Sequence, residues 1–190
     1  MDLTIILGGI VVVLLVVYYL YASMIKKKNR VQEALSSIDV QFQKRADLVP
    51  NMVRTAAKYM QHEKQLFEDI VELRNSVKTT YDMNNANAVA QHMETENQLQ
   101  SKLGAFQVRM EAYPELKSDG TMIEAMKAMS NVENNISAAR RFYNASVGTL
   151  NNAVETWPTS TFARKMGIDA MPFFEAEEKA RESIDVSDFL

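Results

Sequence analysis

Leu3 to Ile25 is a run of 23 residues without a charge, and it constrains this chain more than any other feature. As a helix rising 1.5 Å per residue it is roughly 34 Å long, enough to cross a hydrocarbon core of about 30 Å. Tyr18, Tyr19 and Tyr21 gather near its end, where aromatic side chains meet the headgroups. Lys26, Lys27, Lys28 and Arg30 follow at once as a basic collar, whereas Asp2 is the only charge before the run. The positive-inside rule then places the N-terminus outside and the long C-terminal part in the cytoplasm. A cleaved signal peptide would need a basic start, a shorter apolar core and a small-x-small cleavage site. Asp2 replaces the basic start, and the site nearest to fitting, Ala22, lies between Tyr21 and Ser23.

Charge is uneven along the remainder. The chain carries 24 acidic and 21 basic side chains in 190 residues, a net charge of −3. Residues 26–30 carry +4, and the rest of the soluble part, with 17 basic and 23 acidic side chains, carries −6. The collar suits anionic headgroups, and the acidic remainder argues against nucleic acid as a partner. The absence of cysteine excludes a disulfide framework, a thiolate metal site and a cysteine nucleophile. Six glycines and four prolines are too few for an all-β fold.

The pattern is helical throughout. Between Gly9 and Pro50 there is neither Gly nor Pro, so one helix can run from the membrane to about Val49. Val31, Leu35, Ile38, Phe42, Arg45 and Val49 recur at spacings of 3 and 4. Pro50 predicts a break, with Asp47 as a cap for the next helix. That second helix carries Val53, Ala56, Met60, Phe67, Ile70 and Val77 to about Tyr81, and residues 82–85 read as a turn. A third helix holds Val89, Leu99, Leu103, Phe106, Met110 and Tyr113 and stops at Pro114. After a loop at 117–120, a fourth runs from Thr121 to Trp157 along Met122, Met126, Met129, Glu133, Ile136, Arg140, Tyr143, Val147, Leu150 and Val154. Its spacings alternate 4 and 3 without a fault, as in a coiled-coil seam.

The expected fold is therefore all-α: an N-terminal transmembrane helix (1–25) continuing into an antiparallel up-down long-helix bundle (26–157). A hydrophobic loop and a charged helix from about Phe173 complete the chain (158–190). With helices running out, back, out and back, Trp157 should return close to the bilayer. Trp157 and the segment after it, with Phe162, Met166, Ile168, Met171, Phe173 and Phe174, read either as a lid on the bundle or as a contact with membrane or a neighbouring subunit.

Six charges intrude on the apolar stripes: Arg45, Glu63, Arg74, Glu96, Glu133 and Arg140. The signs balance, so a buried polar network that specifies helix register explains them economically. A di-metal bundle would want Glu-x-x-His on two helices. His62 directly precedes Glu63 and His92 precedes Glu96 by four, so neither spacing fits and no metal or other cofactor is expected. No Walker A, GxSxG, HExxH or GxGxxG motif is present.

Several blocks carry a resemblance. Asn29-Arg30-Val31, Glu33-Ala34, Ile38-Asp39-Val40-Gln41, the run from Lys44 to Val53, and His62-Glu63 resemble the signature of the LemA family of bacterial membrane proteins. Glu111 to Lys117, Glu133-Asn134, Ile136 to Arg140, Tyr143-Asn144 and Phe173 to Ala176 resemble its later blocks, in order. Trp157-Pro158 stands where the family usually has Phe-Pro, and Met166-Gly167-Ile168 replaces a more aromatic motif. The resemblance implies a single-pass anchor in the bacterial inner membrane, an antiparallel bundle, and no established enzymatic activity. It also implies family-motif roles for Arg45, Asp47, Asn51, Glu63, Glu133, Arg140, Tyr143 and Asn144. A relative in magnetosomes is associated with membrane formation, others with envelope responses. Two function classes follow: a self-assembling, non-enzymatic protein that organises or shapes the membrane, or an adaptor that presents the bundle to another envelope protein.

Overall fold

The computed structural model describes residues 3–77 and 80–174, and every regular element among them is helical. In chain order these are α1 (Leu3–Ala56), α2 (Lys64–Ser76), α3 (Ala86–Met110), α4 (Pro114–Ser118), α5 (Gly120–Glu155) and α6 (Thr159–Lys165). α1 is a single helix of 54 residues, about 81 Å long at 1.5 Å per residue. Its apolar first part is long enough to cross a membrane and is covered by nothing else among the described residues. From Met24 onward one face of the same helix is buried, through Val31, Leu35, Ile38, Phe42, Val49 and Met52. Membrane-type segment and bundle strut are thus one continuous element.

The bundle doubles back as its spacing predicts. Arg45 of α1 reaches both Glu96 of α3 and Glu133 of α5. Asp39 lies opposite His92, and Arg30 opposite Phe142, which sets α3 parallel to α1 and α5 antiparallel to it. The longest packing seam joins α1 to α5. The apolar interior divides into two clusters. One, nearer the apolar segment, holds Met24 to Phe42 with Ile136 to Ala153 and the residues Ala163, Ile168, Met171 and Phe174. The other holds Ala46 to Met60 with Phe67, Ile70, Leu99, Phe106, Leu116, Met122 and Met129.

Several boundaries differ from the sequence expectation. α1 passes through Pro50 and ends at Ala56, so Asp47 is not a cap; it sits exposed inside the helix and accepts a bond from Gln43 Nε2 at 2.9 Å. The true reversal spans residues 57–63, where Met60 is fully buried. No Gly or Pro marks that turn, so the pattern held no stop signal there. Asn85 caps α3 by accepting from the amides of Asn87 and Ala88. Asp119 caps α5 likewise, through Thr121 and Met122. The buried face of α5 is broader than the alternating seam: Val132, Ser146 and Ala153 join it, while Trp157 lies wholly outside it. The charged helix expected beyond Phe174 falls outside the described residues.

Candidate functional site

Between the two apolar clusters lies a layer of charge. Arg45 is fully buried, and its guanidinium contacts the Glu96 carboxylate, the Glu96 carbonyl at 3.1 Å and Glu133 Oε1 at 3.1 Å. Glu96 is 1% exposed and Glu133 31%, so the pair is internal and the third member reaches solvent. Three helices that bury apolar faces could slide along one another; a fork of donors aimed at two carboxylates on different helices fixes one register. Burial pushes the Glu96 carboxyl above the usual carboxylate range, an effect that Arg45 only partly offsets.

Beside this layer is a cleft of about 180 Å³, lined by Asp39, Gln43, Thr80, Tyr81, His92 and Glu96 among others. The Tyr81 hydroxyl donates to both oxygens of Asp39, at 2.9 and 3.1 Å. Its ring stacks on His92 at 4.2 Å, and His92 Nε2 lies 3.4 Å from Asp39 Oδ1. Burial, and then the Asp39 charge, push the tyrosine hydroxyl strongly upward. Sequence reading missed Asp39, Tyr81 and His92 as a group. The spacing of His92 and Glu96, one turn apart on α3, was the signal available. Among the described residues no set of three His, Asp or Glu side chains is arranged as a metal site.

The other intruding charges do not join this layer. Arg74 donates from Nε to the carbonyl of Ala46 at 3.1 Å. Pro50 has no amide hydrogen, and in a continuous helix its missing bond would have gone to residue 46. Arg74 therefore supplies the donor that Pro50 lacks, which is the physical reason α1 survives its proline. Glu63 pairs with Arg109, joining the start of α2 to the end of α3. Arg140 donates to the side-chain oxygens of Asn97 and Gln100, at 3.1 and 3.0 Å, and lies 4.9 Å over the Phe174 ring. Of the six, Arg45, Glu96 and Glu133 meet as a buried triad, while Arg74, Glu63 and Arg140 make the further contacts just described.

The segment after α6 lies along α5. Asn151 and the backbone of Met171 exchange two bonds, both 2.9 Å. Asn144 and the backbone of Phe174 do the same, both at 2.9 Å. Two helical turns rise about 10.5 Å and three extended residues span about 10 Å, so the spacings of the two partners match. Between them Tyr143 donates to the Pro172 carbonyl at 2.8 Å. Ile168, Met171 and Phe174 are buried against α1 and α5, Phe162 and Met166 are half-buried, and Phe173 faces outward. The segment covers its own bundle; of the seven side chains proposed for an external contact, Trp157 and Phe173 are free to make one. Tyr143 and Asn144 serve this docking, whereas Asn51 and Asp47 are exposed on α1.

Where the apolar segment meets the bundle, Lys26 and Arg30 are exposed and Lys27 and Lys28 half-buried. Lys27 bonds Ser23 Oγ at 2.6 Å, and Arg30 lies 5.3 Å over the Phe142 ring.

Two comparisons bear on these features. A family model described as the LemA family matches residues 34–188. The chain is also similar to Protein LemA of Metamycoplasma hominis, 25% identical over 165 residues, covering 87% of this chain and 73% of that protein. The matched stretch contains the charge layer, the proline with its Arg74 donor, and the docked tail.

Proposed function

Because the chain belongs to the LemA family, we propose that it is a membrane-anchored, non-enzymatic bundle that self-assembles and thereby organises or curves the bacterial cell membrane. One observation carries this reading: α1 continues without interruption from an uncovered apolar segment into the core of the bundle. A flexible tether would let each bundle tumble over the membrane. A continuous helix instead holds every bundle at one angle to its anchor. Lateral contacts between such units repeat with a fixed rotation and close into rings or curved arrays. The Lys26–Arg30 collar favours a cytoplasmic bundle, and protease added to intact cells should then spare it.

Sizing in mild detergent tests the proposal. A large homogeneous particle supports assembly. A monomer contradicts it and favours an adaptor that presents the bundle to another envelope protein.

A further inference from the structure

We infer that Trp157 and the basic end of α6 make a second membrane contact, a foot that seats the bundle on an anionic lipid surface. Trp157 is 80% exposed, more than any other large apolar side chain described, including those of the uncovered apolar segment. In the tail that follows, Ile168, Met171 and Phe174 are folded inward, and Phe173, at 48%, is less exposed than Trp157.

Its level relative to the membrane follows from the packing. Ser146 and Thr149 of α5 share a groove with Lys26, Lys27 and Arg30 of α1. From Thr149 to the end of α5 at Glu155 the helix rises about 9 Å further toward the apolar segment. That distance on α1 leads from the lysines back to about Leu20 and Tyr21. Trp157 therefore stands beside the tyrosine belt, at the depth where tryptophan is enriched in membrane proteins. α6 packs on both α1 and α5 at this end, with Ala163 and Met24 fully buried in one cluster. Arg164 and Lys165 remain exposed on it.

The charge is complementary to anionic headgroups. Lys26, Lys27, Lys28, Arg30, Arg164 and Lys165 outnumber the neighbouring Glu33, Glu155 and Asp169. The chain as a whole is acidic, so the basic groups are concentrated where lipid would be. The inference rests on residues 3–25 spanning the bilayer, but not on self-assembly.

Trp157 is the chain's single tryptophan, so its fluorescence reports the foot alone. The full chain would be reconstituted into vesicles of phosphatidylcholine, with and without phosphatidylglycerol. Lipids brominated near the headgroup end of the chain should quench most of the emission, and aqueous iodide little. Phosphatidylglycerol should deepen the bromolipid quenching, and Arg164→Glu with Lys165→Glu should abolish that gain. Protein that floats with the vesicles while Trp157 stays open to iodide would overturn the foot and leave the anchor standing. Protein that does not float would overturn the anchor itself. Bromolipid quenching indifferent to both phosphatidylglycerol and the charge reversals would overturn the anionic assignment.

Discussion

Arg45 ties three helices of the bundle together. It is fully buried and answers two carboxylates on two different helices. Removing it alone leaves Glu96 buried without its counter-charge, so Arg45→Met should cost about 3–5 kcal/mol in thermal or urea unfolding. Arg45→Met with Glu96→Leu should recover much of that loss, because both charges then leave together. Arg140→Met should cost less, since its guanidinium is half-buried whereas that of Arg45 is fully buried. Glu96 adds a pH dependence with a definite sign. Burial raises its folded value, so the folded chain holds a proton that the unfolded chain releases. Its contribution is full below the ordinary glutamate range and is lost as pH rises through the raised value. Melting curves across that range should show the parent falling relative to Glu96→Gln as pH rises; parallel curves would contradict this. Periodicity exposed each intruding charge, because a charge at an apolar position is visible in a pattern. It could not show partners, because a helical face does not say which residue of another helix will lie opposite. Hence the pattern did not single out Arg45, Glu96 and Glu133 as the three that meet in one layer.

At the scale of elements, one pair of residues explains the largest departure from the sequence expectation. Pro50 reads as a helix end, yet α1 continues, because Arg74 from α2 donates to the carbonyl that Pro50 orphans. Arg74→Met should leave that carbonyl unsatisfied, at about 1–3 kcal/mol. Pro50→Ala should be worth more in the Arg74→Met background than in the parent, since the restored backbone bond then replaces a missing one. A double-mutant cycle by denaturant unfolding measures this coupling, and additive effects would contradict the account. The reversal at 57–63 was illegible for a different reason. It is set by burial of Met60 and by the Tyr59 hydroxyl, which donates to Asp119 at 3.1 Å, both long-range facts. The docked tail was half legible: its apolar residues stood out, but not the two asparagines two turns apart that hold its backbone. Asn144→Ala with Asn151→Ala should loosen it. Hydrogen exchange at the amides of Met171 and Phe174 should accelerate in the double variant, while the α1–α5 seam keeps its protection.

Among the described residues, one end of the molecule, the apolar start of α1, is uncovered. Its all-helical class and the apolar segment were legible because both rest on local pattern, 23 uncharged residues and a repeat of 3 and 4. The division of its core into two clusters by a charged layer was not, because that depends on how three helices align. The bundle and the apolar segment share α1, and Met24 is fully buried at their junction. Uncoupling them without damaging the core therefore calls for a cut above Met24, where Tyr21 and Ala22 are exposed. The most direct measurement is the particle mass in mild detergent of the parent and of a variant with two glycines inserted after Tyr21. Two inserted residues turn the bundle by about 200° about the axis of α1 and move it about 3 Å further from the apolar segment, which changes the angle that the continuous helix would otherwise hold. The account predicts a defined homo-oligomer for the parent and a smaller or heterogeneous species for the variant. A variant that forms the same particle as the parent would contradict rigid coupling through α1.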